Sequence, residues 1–154
     1  MTDDVLSLFG VDSSGKSTGW AEVQWRPEIK LIRSGQITVI PLGKKLDDDY
    51  EEYCQKILDE LLKAARGCKN KIYSGVIEEP PFFRGSSARN LIGLAQFIRI
   101  SFFNILHIPV NNMSCSHAKK LFTGDGHAPK ELMISTANKL FGTSFVFSDR
   151  TKLT

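Results

Sequence analysis

The chain has 154 residues, 42% hydrophobic and 24% charged, with a formal net charge of +3. That is the size and balance of one ordinary globular domain, able to bury a core without disulfides or metals. No repeat or low-complexity stretch interrupts it, and no apolar run reaches the roughly 18–20 residues that cross a bilayer. The acidic start Met1-Thr2-Asp3-Asp4 lacks the basic opening of a signal peptide, so a cytoplasmic protein is expected. Cys54, Cys68 and Cys115 are odd in number and widely spaced, with no CxxC pair, and are expected as reduced, partly buried thiols. His107, His117 and His127 show no metal-ligand spacing. The positive charge permits nucleic-acid binding without requiring it.

In chain order, Val5 to Val11 is a short apolar run that reads as a buried strand, and Asp12-Ser13-Ser14-Gly15 is turn chemistry. Trp20 to Trp25 alternates, with Ala21, Val23 and Trp25 set against Glu22 and Gln24, the pattern of a half-buried strand that Pro27 stops. Leu31 to Ile40 is rich in β-branched residues and reads as a third strand, with Gly35 as a bulge. Short turns between the three predict an antiparallel meander. Leu46 to Arg66 changes period, and Leu46, Tyr50, Tyr53, Ile57, Leu61 and Ala65 mark an amphipathic helix that Gly67 closes. Asp47, Asp48 and Asp49 are expected in its first turn, where the helix dipole favours acids.

Ile72 to Ile77 predicts a fourth strand running into Glu78-Glu79-Pro80-Pro81. Ser86 to Leu106 predicts a second helix, with Leu91, Leu94, Ala95, Ile98, Phe102 and Ile105 on one side. Ile108 to Met113 reads as a fifth strand, and Pro129 to Leu140 as a last helix closed by Gly142. The order βββ-α-β-α-β-α predicts one α/β domain over residues 1–154, a mixed five-stranded sheet with helices on both faces.

Two acids stand out by position. Asp12 follows the first predicted strand and Glu78 the fourth. If those strands are neighbours, both carboxylates converge at one end of the sheet on rigid backbone. Hard oxygen ligands of this kind select Mg²⁺ or Mn²⁺, and two such ions can clamp both oxygens of a phosphodiester displacement. Asp is also a common turn residue, so either acid alone carries little.

A competing motif occupies the same place. Gly10 to Ser17 satisfies G-x-x-x-x-G-K-[ST] after a predicted strand, and with Thr18 it looks like the phosphate loop of a thymidylate-kinase-like nucleotide kinase, with Lys16 as phosphate ligand. That loop must open a helix. Here Gly19 and Pro27 bracket a segment whose period is two, with Trp20, Val23 and Trp25 favouring a strand.

The same residues resemble another pattern. Leu8-Phe9-Gly10-Val11-Asp12 with Thr18-Gly19-Trp20 resembles the opening strand and hairpin of RuvC-type Holliday junction resolvases. Val76-Ile77-Glu78-Glu79 resembles that family's second acidic strand end, and Gly93-Leu94-Ala95-Gln96 its Leu-x-Gln helix. Ala118 to Gly126, with Lys119 and Lys120, followed by Lys130, resembles its basic segment. These matches run in order from residue 8 to about residue 141, in a pattern nearer the phage-encoded branch.

The resemblance implies an RNase H-like fold, a homodimer, two Mg²⁺ ions per site (Mn²⁺ able to substitute) and four-way DNA junctions cleaved by hydrolysis, in a bacterial or phage-infected cell. It assigns Asp12 and Glu78 to metal and catalysis, Lys119 and Lys130 to scissile phosphate, and Lys120 to DNA. Arg84 and Arg89, flanking a polar loop, are further expected phosphate contacts, and Phe82 and Phe83 are expected to stack at the junction centre. Two departures stand beside the match. The family's third acidic motif, Asp-x-x-Asp on a final helix, is missing before Thr154; Asp149 is the only acid near there, so the domain is expected to lack its C-terminal acidic helix. Pro80-Pro81 also shifts the spacing of the aromatics. A junction-binding protein without catalysis is the remaining alternative.

Overall fold

A computed structural model describes residues 4–13, 17–39, 49–80 and 86–146. The elements are β1 (Leu6–Asp12), β2 (Thr18–Arg26), β3 (Lys30–Ile37), α1 (Tyr50–Arg66), β4 (Lys71–Glu79), α2 (Ser86–Leu106), β5 (Val110–Ser114), α3 (Cys115–Thr123) and α4 (Lys130–Phe141). They form two compact units, Met1–Ser114 and Cys115–Thr154.

The first unit is a mixed five-stranded sheet in the order β3-β2-β1-β4-β5. β1, β2 and β3 pair antiparallel as the expected meander. β1 pairs parallel with β4, and β4 parallel with β5. Parallel neighbours need long crossovers, and α1 and α2 supply them. Period-two alternation turns Ser7, Phe9 and Val11 of β1 into a single core with Ile77 of β4 and Val110 of β5. α1 covers this face with Tyr53, Ile57, Leu58 and Leu61, and α2 with Leu94, Ala95, Ile98 and Phe102. Phe9 is the pivot, its ring 5.7 Å from both Trp20 and Phe102. Burying each such side chain stabilises the fold by about 1.5–3 kcal/mol.

Several local expectations need correction. The buried side of β2 carries Thr18, Trp20 and Glu22, whereas Trp25 is 49% exposed. The phase of the alternation is therefore opposite to the one expected, because Glu22, at 0% exposure, is paired rather than solvated. It accepts hydrogen bonds from Ser7 Oγ at 3.1 Å and Arg33 Nε at 3.2 Å. Arg33 then ties β3 to α1 by donating to the Ala64 carbonyl at 2.7 Å, and its guanidinium lies 5.2 Å from the Trp20 ring centroid. Gly35 is not the bulge; the register of β2 on β3 skips Ile32 instead. Gly35 lies opposite Trp20, where any Cβ would meet the indole at 2.6 Å. Asp49 caps α1 in the left-handed region (φ 56°), so the acids of the first turn are Glu51 and Glu52; Asp47 and Asp48 lie outside the described residues. Ile105 is 46% exposed rather than on the core side of α2.

β2 also removes the kinase alternative. The chain after Ser17 is a nine-residue strand paired antiparallel to β1, in the place where a phosphate loop needs a helix.

In the second unit, α3 was not anticipated. α3 and α4 pack against each other. Between them Gly124 takes φ +85°, Thr123 Oγ1 accepts from Asp125 N at 3.1 Å, and Ala128 is buried. Pro129 is the cap of α4 rather than part of its first turn, which leaves Lys130 as its first residue. Gly142 ends α4 at φ 65°. Among the described residues, no helix is long and apolar enough to cross a membrane.

Candidate active site

The site is built by register. β1 and β4 are central, parallel and adjacent, with Gly10 opposite Val76 and Val11 opposite Ile77. One residue further along each strand stand Asp12 and Glu78. Parallel neighbours lie about 4.8 Å apart, so the two acids leave the sheet side by side at its carboxyl end. Val11 and Ile77 point into the core at 6% and 0% exposure. Alternation therefore sends Asp12 and Glu78 to the opposite face, Asp12 exposed and Glu78 half-buried. Asp12 is the last residue of β1 and Glu78 the last but one of β4, so both lie within their strands rather than in turns beyond them. Glu79 is exposed, and alternation turns it away from this pair.

The neighbours in register shape the surroundings. Gly19 of β2 lies opposite Asp12, and Met113 of β5 opposite Glu78. Among the described residues, a Cβ built on Gly19 or on Gly10 meets nothing within 4 Å, so none of them crowds this flank of Asp12. Met113 was not singled out from the sequence, because strand register is not written in spacing. The donor set fits a hard divalent cation, since ionised carboxylates offer only oxygen acceptors. Among the described residues, Asp12 and Glu78 are joined by no third Asp, Glu, His or Cys in a metal-sized group.

The expected DNA contacts fall into three groups. Arg89 is exposed in the first turn of α2, in the same unit as the carboxylates. Lys119 (half-buried) and Lys120 (exposed) lie on α3, and Lys130 (exposed) opens α4, all in the second unit. Phe82, Phe83 and Arg84 lie outside the described residues, as do Lys16 and Asp149.

A mixed sheet in this order, with acids closing its two central parallel strands, is the RNase H-like fold. The structure of Thermus thermophilus RuvC in complex with a Holliday junction substrate matches it with a TM-score of 0.75 over 94% of this chain and 84% of that one, at 17% identity. In sequence, the crossover junction endodeoxyribonuclease RuvC of Ehrlichia ruminantium (strain Welgevonden) is 30% identical over 130 residues, 82% of this chain and 77% of that protein. RuvC of Ehrlichia canis (strain Jake) is 29% identical over 142 residues, 91% of this chain and 85% of that protein. No family model matches the chain. On these relatives the chain belongs to the RuvC family of crossover junction endodeoxyribonucleases.

Proposed function

We propose that this chain resolves Holliday junctions and related branched DNA as a structure-selective, metal-dependent endonuclease. The observation that supports this most is the register that sets Asp12 beside Glu78 at the ends of β1 and β4. These two carboxylates would hold Mg²⁺, with Mn²⁺ able to substitute, as a two-ion site. Such ions supply polarisation of the scissile phosphate and offset charge on the leaving oxygen. The rest falls to the chain. Asp12 and Glu78 sit on backbone fixed by the sheet, so their oxygens keep their separation as substrate enters. The flank at Gly19, which no described residue covers, would admit a DNA backbone beside Asp12. On the resemblance alone, Lys119 and Lys130 would neutralise scissile-phosphate charge, and Lys120, Arg84 and Arg89 would contact the DNA backbone. Phe82 and Phe83, on the resemblance alone, stack against unpaired bases at the branch. In the reaction a water oxygen bonds to phosphorus as the P–O3′ bond breaks, leaving 5′-phosphate and 3′-hydroxyl ends.

A four-way junction has two-fold related strands, so complete resolution calls for two sites. A homodimer provides them through a self-complementary contact. We assign that contact to the outer face of α2, where Ile100 and Phe103 are 58% and 59% exposed. The test is nicking of an end-labelled four-way junction and of a linear duplex, with Mg²⁺ and with EDTA, by protein whose mass is read by sedimentation. A dimer that nicks the junction only in Mg²⁺ is expected. Equal cleavage of linear duplex, cleavage in EDTA, or an active monomer would contradict the corresponding part.

A further inference from the structure

The opposite end of the sheet carries a second set of exposed groups that the catalytic reading leaves unused. The register of β1 on β2 skips Trp25, since Leu6 pairs with Arg26 and Ser7 with Gln24. The register of β1 on β4 skips Tyr73, since Ser7 pairs with Ile72 and Leu8 with Ser74. Two bulges thus flank β1 at successive steps, one on either side of Ser7, each formed at an aromatic residue. A bulge bends its strand and re-aims a side chain. Trp25 is 49% and Tyr73 64% exposed, although large aromatics elsewhere in this sheet, Phe9 and Trp20, are packed against each other.

The bulges stand among cations. Arg26 and Lys71 pair with Leu6 from either side, Lys69 precedes β4, and all three are exposed. Among the described residues none of the three makes an ion pair. Lys30, at the start of β3, is paired to Glu28 at 2.6 Å, and Asp4 is the other exposed acid near this end among the described residues, whose excess here is positive. Asn70 anchors the turn before β4 by donating to Ser7 Oγ at 3.1 Å, so Lys69 and Lys71 are carried on fixed backbone. Leu6 lies six residues before Asp12, roughly 20 Å away along the strand, so this patch is separate from the carboxylates.

We propose that Trp25, Tyr73, Arg26, Lys69 and Lys71 form a second nucleic-acid site, for single-stranded DNA. Exposed aromatic faces stack on unpaired bases without regard to sequence, and lysine and arginine beside them follow the phosphates. A duplex hides its base faces and would leave both rings unused. The inference builds on the nuclease reading only in that branched substrates carry unpaired segments; the binding itself does not depend on Asp12 or Glu78.

The test is fluorescence anisotropy of a labelled oligo-dT of about 20 nucleotides, without divalent metal, at several salt concentrations. Trp25→Ala with Tyr73→Ala should weaken binding at least about tenfold, and Trp25→Phe should retain most of it. Lys69→Ala with Lys71→Ala should lower the log–log salt slope by about 0.7 per lost contact. Asp12→Asn should bind oligo-dT as the unaltered protein does, which separates this site from the catalytic one. Melting temperatures of these surface variants check the fold. Unchanged oligo-dT affinity in the aromatic variant overturns the proposal. So does a variant that changes only the oligomeric state, since a second copy would then be the occupant.

Discussion

Two acids on one β-hairpin have opposite fates. Glu22, in the middle of β2, is wholly buried and accepts from Ser7 and Arg33. Asp12, at the end of β1, is exposed on the other face beside Glu78. Both are strand carboxylates a few residues apart across the pair, so residue type does not separate them. Position along the strand does. Mid-strand, an inward acid must be neutralised by protein groups or it cannot be buried. At a strand end, two outward acids on adjacent parallel strands bring like charges together, and a bound cation would relieve that repulsion. One acid is part of the buried framework, and the other stands where the proposed chemistry needs it.

The largest effect that would break this contrast is on activity. Asp12→Asn and Glu78→Gln should each lower junction nicking roughly a hundredfold or more while leaving thermal stability and junction binding in place. Glu22→Ala should do the reverse. It removes the carboxylate partner of Arg33, which keeps its bond to the Ala64 carbonyl, and should cost roughly 2–4 kcal/mol of stability, toward the lower end because Arg33 is 33% exposed. Nicking per folded molecule should be retained, as read from denaturant melts beside initial rates. If Glu22→Ala were neutral in the melts, the buried pair would not be what sets the phase of β2.

Smaller effects sharpen the distinction between groups that meet DNA and groups that hold the core. Lys119→Ala and Lys130→Ala should each reduce the log–log salt slope of junction binding by about 0.9 per phosphate contact. An unchanged slope in both would put these lysines in solvent. At the core, burial pushes the Cys68 thiol from its ordinary 9.0 up to about 11, against the lowering effect of Arg33. The folded state therefore keeps this proton while the unfolded chain releases it. The associated stability is complete below about pH 9 and is lost as pH rises to about 11. Burial shifts Cys54, Tyr50 and Tyr53 in the same direction. Urea melts from pH 7.5 to 10.5 should show the decline, and Cys68→Ala should flatten part of it. An identical decline in that variant would contradict the assignment.

The positions of the two candidate acids could be read from the sequence because strand ends are marked locally. Asp12 and Glu78 each follow an apolar run and precede turn residues, and only the adjacency of β1 and β4 had to come from the fold. Glu22 was misplaced because alternation gives two faces without saying which is inside, and Trp25 looked like the more natural core residue. Arg33, which decides the matter, lies eleven residues away on another strand. α3 was missed for a different reason. It is only nine residues long, about two and a half turns, too short for a helical period to stand out, and its two lysines read as a basic segment. Gly35 looked like a bulge and is instead clearance for the Trp20 ring, a close approach that spacing does not record.

The most direct measurement is the initial rate of four-way junction nicking in Mg²⁺ by Asp12→Asn, Glu78→Gln and the double variant, each with junction affinity measured alongside. Residues that act as one unit lose their effect together. If Asp12 and Glu78 hold the same ions, the double variant should be about as slow as either single variant, with junction affinity retained in all three. Rates that fall multiplicatively, or a single variant that still nicks at the unaltered rate, would mean that the two carboxylates do not form one site.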